Sequence, residues 1–119
     1  MAGKISIAWL KEPEKKDYPA AASVLTLLFD EKTADRYVRR LSKAPISQFK
    51  ARDILRMCDV SALGVAASDD DRKRILAGKP LSPLLLVRDS RRLIVADGYH
   101  RLCTVYTMDE NAMIPCKIV

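Results

Sequence analysis

The sequence predicts an α+β fold, a compact single domain in which several helices pack on a small mixed sheet. The chain has 119 residues, of which 49% are hydrophobic, enough for one core. Two β-rich runs, Leu84–Val87 and Leu93–Ala96, flank the turn-forming Asp89-Ser90-Arg91 and predict a hairpin. We find no internal repeat and no boundary of a second domain, so residues 1–119 are interpreted as one domain.

The N-terminal part is predicted to hold one strand and two helices. Ile5–Leu10 is predicted as a strand, and the charged, proline-bearing run after it as a loop. In that loop Asp17 is expected to cap a helix that starts near Pro19. The Ala-rich stretch Ala20–Phe29 predicts this helix, and Thr33 is the expected N-cap of a second one.

The later elements follow from clear local signals. Ser68, followed by Asp69, Asp70 and Asp71, combines a side-chain cap with acids at the positive end of the helix dipole, and Gly78 is a natural stop, which predicts a helix over residues 69–77. The remaining predictions are a short strand in residues 46–51, a helix in 52–60, a helix from about Tyr99 to Met108, and a last strand over 113–119.

The stretch Asp97-Gly98-Tyr99-His100-Arg101 is the strongest candidate for a functional site. It joins a predicted strand to a predicted helix, so backbone N–H groups without intrahelical partners lie there at the positive end of a dipole. Gly98 permits close approach of a ligand, Arg101 offers a planar fork of donors, and His100 adds a ring donor. Phosphate is the natural ligand for this set, whereas the alternative is an ordinary strand-turn-helix junction that Asp97 caps.

The pattern PLSPLLLV, RRLIVADGYHRLCTVY and AMIPCKIV resembles the ParB and sulfiredoxin-like superfamily, most strongly over residues 69–119. The resemblance implies that Gly98, His100 and Arg101 hold nucleotide phosphates. It extends this role to Arg72, Lys79 and Ser82, which lie near the matching helix end and loop. The implied ligand is a nucleoside di- or triphosphate, with or without Mg²⁺.

Two departures from the superfamily pattern narrow the expected activity. Sulfiredoxins carry their reactive cysteine directly before the His-Arg pair, where this chain has Tyr99, so sulfiredoxin activity is not expected. Cys103 lies one helical turn further on and is expected to point with Tyr99 rather than with His100. Partition proteins continue into a helix-turn-helix region, and because this chain stops at Val119 we do not expect sequence-specific operator reading.

Charge and cysteine content bear on partners and compartment. The net charge of +6 favours anionic partners. Three widely spaced cysteines and a short, charge-broken apolar N-terminus predict a cytoplasmic protein with reduced thiols and no membrane span. Helix capping explains the three consecutive acids, so no metal site is predicted. The oligomeric state stays open, a homodimer included.

Two functional hypotheses result. The first is a nucleotide-binding domain, with nucleotide hydrolysis or phosphoryl transfer to a small molecule as the reactions to consider; His100 and Asp97 are then the candidate catalytic residues. The alternative is a non-catalytic DNA- or RNA-binding or regulatory module. It would act through the basic helix faces, formed by Arg36, Arg39, Arg40 and Lys43 and by Arg72, Lys73 and Arg74.

Overall fold

The computed structural model describes residues 6–58 and 67–119. These residues form five helices and four strands: α1 Asp17–Leu25, α2 Glu31–Lys43, β1 Ser47–Lys50, α3 Ala51–Met57, α4 Asp69–Leu76, β2 Leu84–Asp89, β3 Arg92–Asp97, α5 Tyr99–Met108 and β4 Met113–Ile118. The Cα radius of gyration is 13.9 Å, close to the roughly 13.5 Å expected of one domain of this length. The prediction of a compact α+β domain is confirmed.

The sheet is mixed and has the strand order β1-β4-β2-β3. β4 pairs antiparallel with β1 and parallel with β2, and β2 and β3 form the predicted antiparallel hairpin. At the tight end of the hairpin Ser90 has φ of 52°, the left-handed conformation that short hairpin turns require. Asp97, the last residue of β3, therefore lies at the end of the strand opposite this turn.

Helices cover both faces of the sheet. Leu84 and Leu86 belong to the core that α3, α4 and α5 close, whereas Leu85 and Val87 belong to the core under α1 and α2. All four side chains are fully buried. This explains why the sequence of β2 is continuously apolar rather than alternating, because a strand covered on both faces has no solvent side.

The predicted first strand is wrong for the described residues 6–10. Its only sheet-type pairing is one isolated parallel bridge between Trp9 and Leu81, supported by the bond from Leu10 N to Leu81 O at 2.8 Å. The segment does not extend as a buried strand, because a charged, proline-containing run begins at Lys11. Ile5 lies outside the described residues.

The bounds and caps of the first two helices also differ from the prediction. α1 begins at Asp17 rather than near Pro19 and ends at Leu25 rather than at Phe29. Leu27 and Leu28, which follow the helix, are 84% and 56% exposed, and Phe29 packs again against the core under α1 and α2. The N-cap of α2 is Asp30, whose Oδ1 accepts from Thr33 N at 2.7 Å, so Thr33 is the capped residue and not the cap.

The later helices follow the sequence closely. Ser68 caps α4, since its hydroxyl accepts from Asp71 N at 3.3 Å, and Gly78 follows the helix with φ of 73°. α4 ends at Leu76 and α5 spans the predicted range. Of the helix predicted over 52–60, the part to Met57 is confirmed, and residues 59 and 60 lie outside the described ranges. In the described part of the chain, no helix is long and apolar enough to cross a membrane.

Candidate functional site

A polar cavity of about 170 Å³ lies beside the N-terminal end of α5. Its wall is formed by the segment that leads into α1, by α4, and by the segment before β2. Arg101 is the residue of α5 that lines it, and we call it the Arg101 cavity. The lining residues include Glu14, Lys16, Asp17, Arg74, Ser82 and Arg101.

Arg101 is fixed by three bonds. Its Nε donates to the backbone oxygen of Ser82 at 3.0 Å, and its Nη2 donates to the backbone oxygen of Pro83 at 3.4 Å. The same Nη2 forms an ion pair with Asp97 Oδ2 at 2.8 Å, with the two side chains only 18% and 14% exposed. These contacts join α5 to the segment before β2 and hold the guanidinium in one orientation.

Gly98 packs directly against the guanidinium of Arg101. It is the N-cap of α5, with φ of 105°, a conformation that residues other than glycine rarely adopt. A Cβ at this position would overlap Cδ2 of Leu84 and crowd the guanidinium of Arg101. The sequence predicts that the glycine admits a ligand, but the space above its Cα is filled by the protein's own Leu84 and Arg101.

Two carboxyl groups lie side by side next to Arg101. Asp17 is 4% exposed, and its Oδ2 accepts from Glu14 N at 2.9 Å and from the hydroxyl of Ser82. Burial raises the pKa of Asp97; the hydrogen bond and charge of Arg101 oppose the rise, and the neighbouring carboxyl of Asp17 adds to it. Asp97 therefore keeps its proton to a higher pH than an ordinary aspartate does.

The charges on the wall are balanced. Three cations line it together with three carboxylates, namely Lys16, Arg74 and Arg101 with Glu14, Asp17 and Asp71. Lys16 Nζ lies 3.5 Å from Glu14 Oε2. With all six groups ionised, the wall of the cavity carries no net charge.

The structure brings some of the predicted residues together and leaves others apart. Ser82 and Arg101 line the cavity, and Asp97 contacts Arg101. His100 is exposed, with its ring 5.8 Å from that of Tyr99, and lies outside the lining. Arg72 and Lys79 are also exposed and outside it.

Sequence reasoning misses Asp17 and Arg74 as cavity residues. The local sequence suggests a helix cap for Asp17, whereas its carboxylate accepts a hydrogen bond from the hydroxyl of Ser82, 65 residues away. Arg74 belongs to the basic run that the sequence predicts as a surface face. Whether Arg72 or Arg74 faces the cavity depends on the rotation of α4 about its axis. The sequence signals this rotation weakly, because Ile75 is the one buried residue of the helix.

The thiols lie away from the cavity. Cys103 and Cys116 are buried, as expected of core cysteines. Burial raises the pKa of Tyr99, with a smaller rise from its hydrogen bond with Cys103, so these two side chains contact each other on α5 as expected. Among residues 6–58 and 67–119, no group of three His, Cys, Asp or Glu side chains is placed to hold a metal ion.

Comparison with known proteins adds no assignment. The chain matches none of the protein-family models, and neither a curated protein nor a solved structure is significantly similar to it.

Proposed function

We propose that the protein binds a nucleotide, with one phosphate group seated in the Arg101 cavity. The observation that carries the proposal is the fixed guanidinium of Arg101 at the wall of a small polar cavity. An arginine held in place before a ligand arrives loses little side-chain entropy on binding, and its guanidinium forms charge-assisted hydrogen bonds with phosphate oxygens. The resemblance to the ParB and sulfiredoxin-like superfamily supports the same ligand class.

The bonds that anchor Arg101 leave one side of the guanidinium for a ligand. Within the described ranges they use Nε and Nη2. Nη1 is then the donor that would meet a phosphate oxygen, with Arg74 and Lys16 as exposed cations on the same wall. A volume of about 170 Å³ suits a phosphate group, so the nucleoside would extend out of the cavity.

Binding, rather than turnover, is what the geometry supports best. Asp97 is engaged by Arg101, which makes it a positioning residue, and His100 lies outside the cavity lining. The residues present do not fit a resident Mg²⁺ ion, because Asp97 is tied to a cation and the described residues form no ligand cluster.

Calorimetric titration with ATP, CTP, ADP and GTP, each with and without Mg²⁺, tests the proposal. We expect one of these nucleotides to bind at micromolar concentration. Arg74→Gln should weaken binding of that nucleotide about tenfold, because it removes an exposed cation from the cavity wall. Arg101→Lys, which keeps the charge but loses the fork, should weaken it further. Arg36→Gln is the matched control on α2 and should bind as the wild type does. The proposal is lost if no nucleotide binds below millimolar concentration, or if both cavity variants bind like the control.

A second candidate function, nucleic-acid binding, is favoured by one feature of α2. Four exposed cations recur there at spacings of three and four residues and so share one helix face: Arg36, Arg39, Arg40 and Lys43. A stripe of this kind can follow the phosphates of a duplex. Binding of a labelled duplex DNA should then weaken steeply with salt, and the variant with all four changed to Gln should lose it. Equal binding by that variant, or a flat salt dependence, removes this candidate.

A further inference from the structure

A second and larger cavity lies at the other end of the sheet, beside the β2–β3 turn. Its volume is about 320 Å³, and its floor is apolar, formed by side chains from β1, α3, β3 and β4. They are Phe49, Ile54, Met57, Leu93 and Ile118. Phe49 and Met57 are 43% and 48% exposed, although each lines a concave surface of a folded domain. We call this cavity the hairpin pocket.

Three arginines border the apolar floor. Arg88, Arg91 and Arg92 come from the end of β2, the turn and the start of β3, and all three are exposed. In the described parts of the chain, no ion pair joins any of them to a carboxylate. The pocket holds one acid, Asp53, which forms a weak, exposed ion pair with Arg52 at 3.9 Å. The rim is therefore strongly positive above a floor without polar groups.

From these features we propose that the hairpin pocket binds a small amphipathic anion, an apolar ring or chain that ends in a carboxylate. The floor would bury the apolar body, at about 25 cal/mol per Å² of area removed from water. The arginine rim would receive the anionic head in a bidentate contact. The volume lies at the lower end of the range of small-molecule sites, which favours a small ligand over a protein segment.

The hairpin pocket is separate from the Arg101 cavity. Leu93 lines the pocket, and Asp97 contacts Arg101 at the opposite end of the same strand. Four residues of extended chain separate them, about 13 Å. The inference therefore does not rest on the proposed nucleotide site, and failure of one leaves the other in place.

A pair of fluorescent probes tests the inference. 1-Anilinonaphthalene-8-sulfonate carries an apolar aromatic body and one anionic group, and N-phenyl-1-naphthylamine is the same body without the charge. We expect the wild type to bind the sulfonate probe with a stoichiometry of one and the neutral probe at least about tenfold more weakly. Decanoate and 1-naphthoate should displace the sulfonate probe.

Substitutions in the hairpin pocket test whether the probes bind there. Arg91→Gln/Arg92→Gln should weaken binding of the sulfonate probe about tenfold and leave binding of the neutral probe unchanged. Phe49→Ala should weaken binding of both probes. Arg36→Gln/Arg39→Gln removes the same charge from α2 and is the matched control. Circular dichroism and the cooperativity of urea unfolding confirm that each variant is folded. Met57→Glu, a change at an exposed position, provides a second variant that should repel the sulfonate probe.

Three results would overturn the inference. The first is equal binding of charged and neutral probes, and the second is sulfonate binding that falls equally in the pocket variant and the α2 control. The third is failure of the sulfonate probe and both carboxylates to bind. If a capped acidic peptide with one phenylalanine then binds, and loses affinity in Arg91→Gln/Arg92→Gln, the pocket belongs to a protein partner instead.

Discussion

Gly98 and Arg101 are packed so closely that a methyl group on Gly98 would lie 2.9 Å from Nη2 of Arg101. The backbone that starts α5 and the side chain that lines the cavity are thus parts of one arrangement. The Gly-x-x-Arg spacing, which in the sequence indicates a ligand site, is explained in the folded chain by this internal contact. In the proposed phosphate site, Gly98 would therefore act through the position of Arg101.

Gly98→Ala should lower the free energy of unfolding by about 2–4 kcal/mol, because the new Cβ combines an unfavourable positive φ with overlap against Leu84 and Arg101. Urea unfolding followed by circular dichroism measures it. Gly78→Ala is the matched control, since Gly78 also has positive φ but a methyl group there would meet no atom within 4 Å. That control should cost only about 1 kcal/mol. Equal losses in the two variants would show that the close contacts of Gly98 with Leu84 and Arg101 add no cost.

Arg101→Ala should lower the free energy of unfolding by about 2–4 kcal/mol, because it leaves Asp97 largely buried without its cation and frees the backbone oxygens of Ser82 and Pro83. Asp97→Asn should cost about 1 kcal/mol or less, since an asparagine oxygen still accepts from Nη2 and no buried carboxylate remains. The same unfolding experiment compares them. A larger loss for Asp97→Asn than for Arg101→Ala would contradict the assignment of Asp97 as a positioning residue.

Much of the fold is predictable because its signals are local. Ser68 and the acids after it define the start of α4, and the two β-rich runs around Asp89-Ser90-Arg91 define the hairpin. Each of these depends on residues within a few positions of one another. The errors lie at the N-terminus, where α1 ends at Leu25, earlier than its Ala-rich, apolar sequence suggests, and leaves Leu27 exposed.

The candidate site is predictable only in part, since it depends on contacts between distant residues. The turn around Gly98 and Arg101 is identifiable from its own sequence. The bond between Asp17 and Ser82 and the rotation that places Arg74 at the cavity depend on how helices pack, which the sequence of each helix leaves open. For the same reason, the apolar floor of the hairpin pocket, assembled from four elements, has no sequence signature.

The raised pKa of Asp97 predicts a dependence of stability on pH. The folded protein keeps the proton of Asp97 to a higher pH than the unfolded chain, in which the pKa is near 3.8. The wild type should therefore lose stability relative to Asp97→Asn as the pH rises from 3.8 through the raised pKa. Urea unfolding of both proteins over about pH 4–7 measures the difference.

Asp30→Asn serves as the comparison, because its effect on stability should change with pH in the opposite direction. The backbone N–H of Thr33 lowers the pKa of Asp30, so this carboxylate stabilises the fold above pH 3.8 and the stabilisation is lost as the pH falls through the lowered pKa. The advantage of the wild type over Asp30→Asn should thus shrink toward acid pH. A difference in stability between wild type and Asp97→Asn that stays constant with pH would contradict the raised pKa of Asp97.

The thiol of Cys58 should react slowly although it is partly exposed. Burial raises its pKa from 9.0 to about 11, with a smaller rise from Cys103. A rise of that size lowers the fraction of reactive thiolate near pH 8 about 100-fold. Mass spectrometry of iodoacetamide-treated protein should therefore find Cys58 modified at about one-hundredth of its rate in the same protein unfolded in urea. Cys116, whose pKa is also raised to about 11 and which is fully buried, should be slower still. Modification of Cys58 at the unfolded rate would mean that its environment is more open than its packing against the core under α3, α4 and α5 indicates.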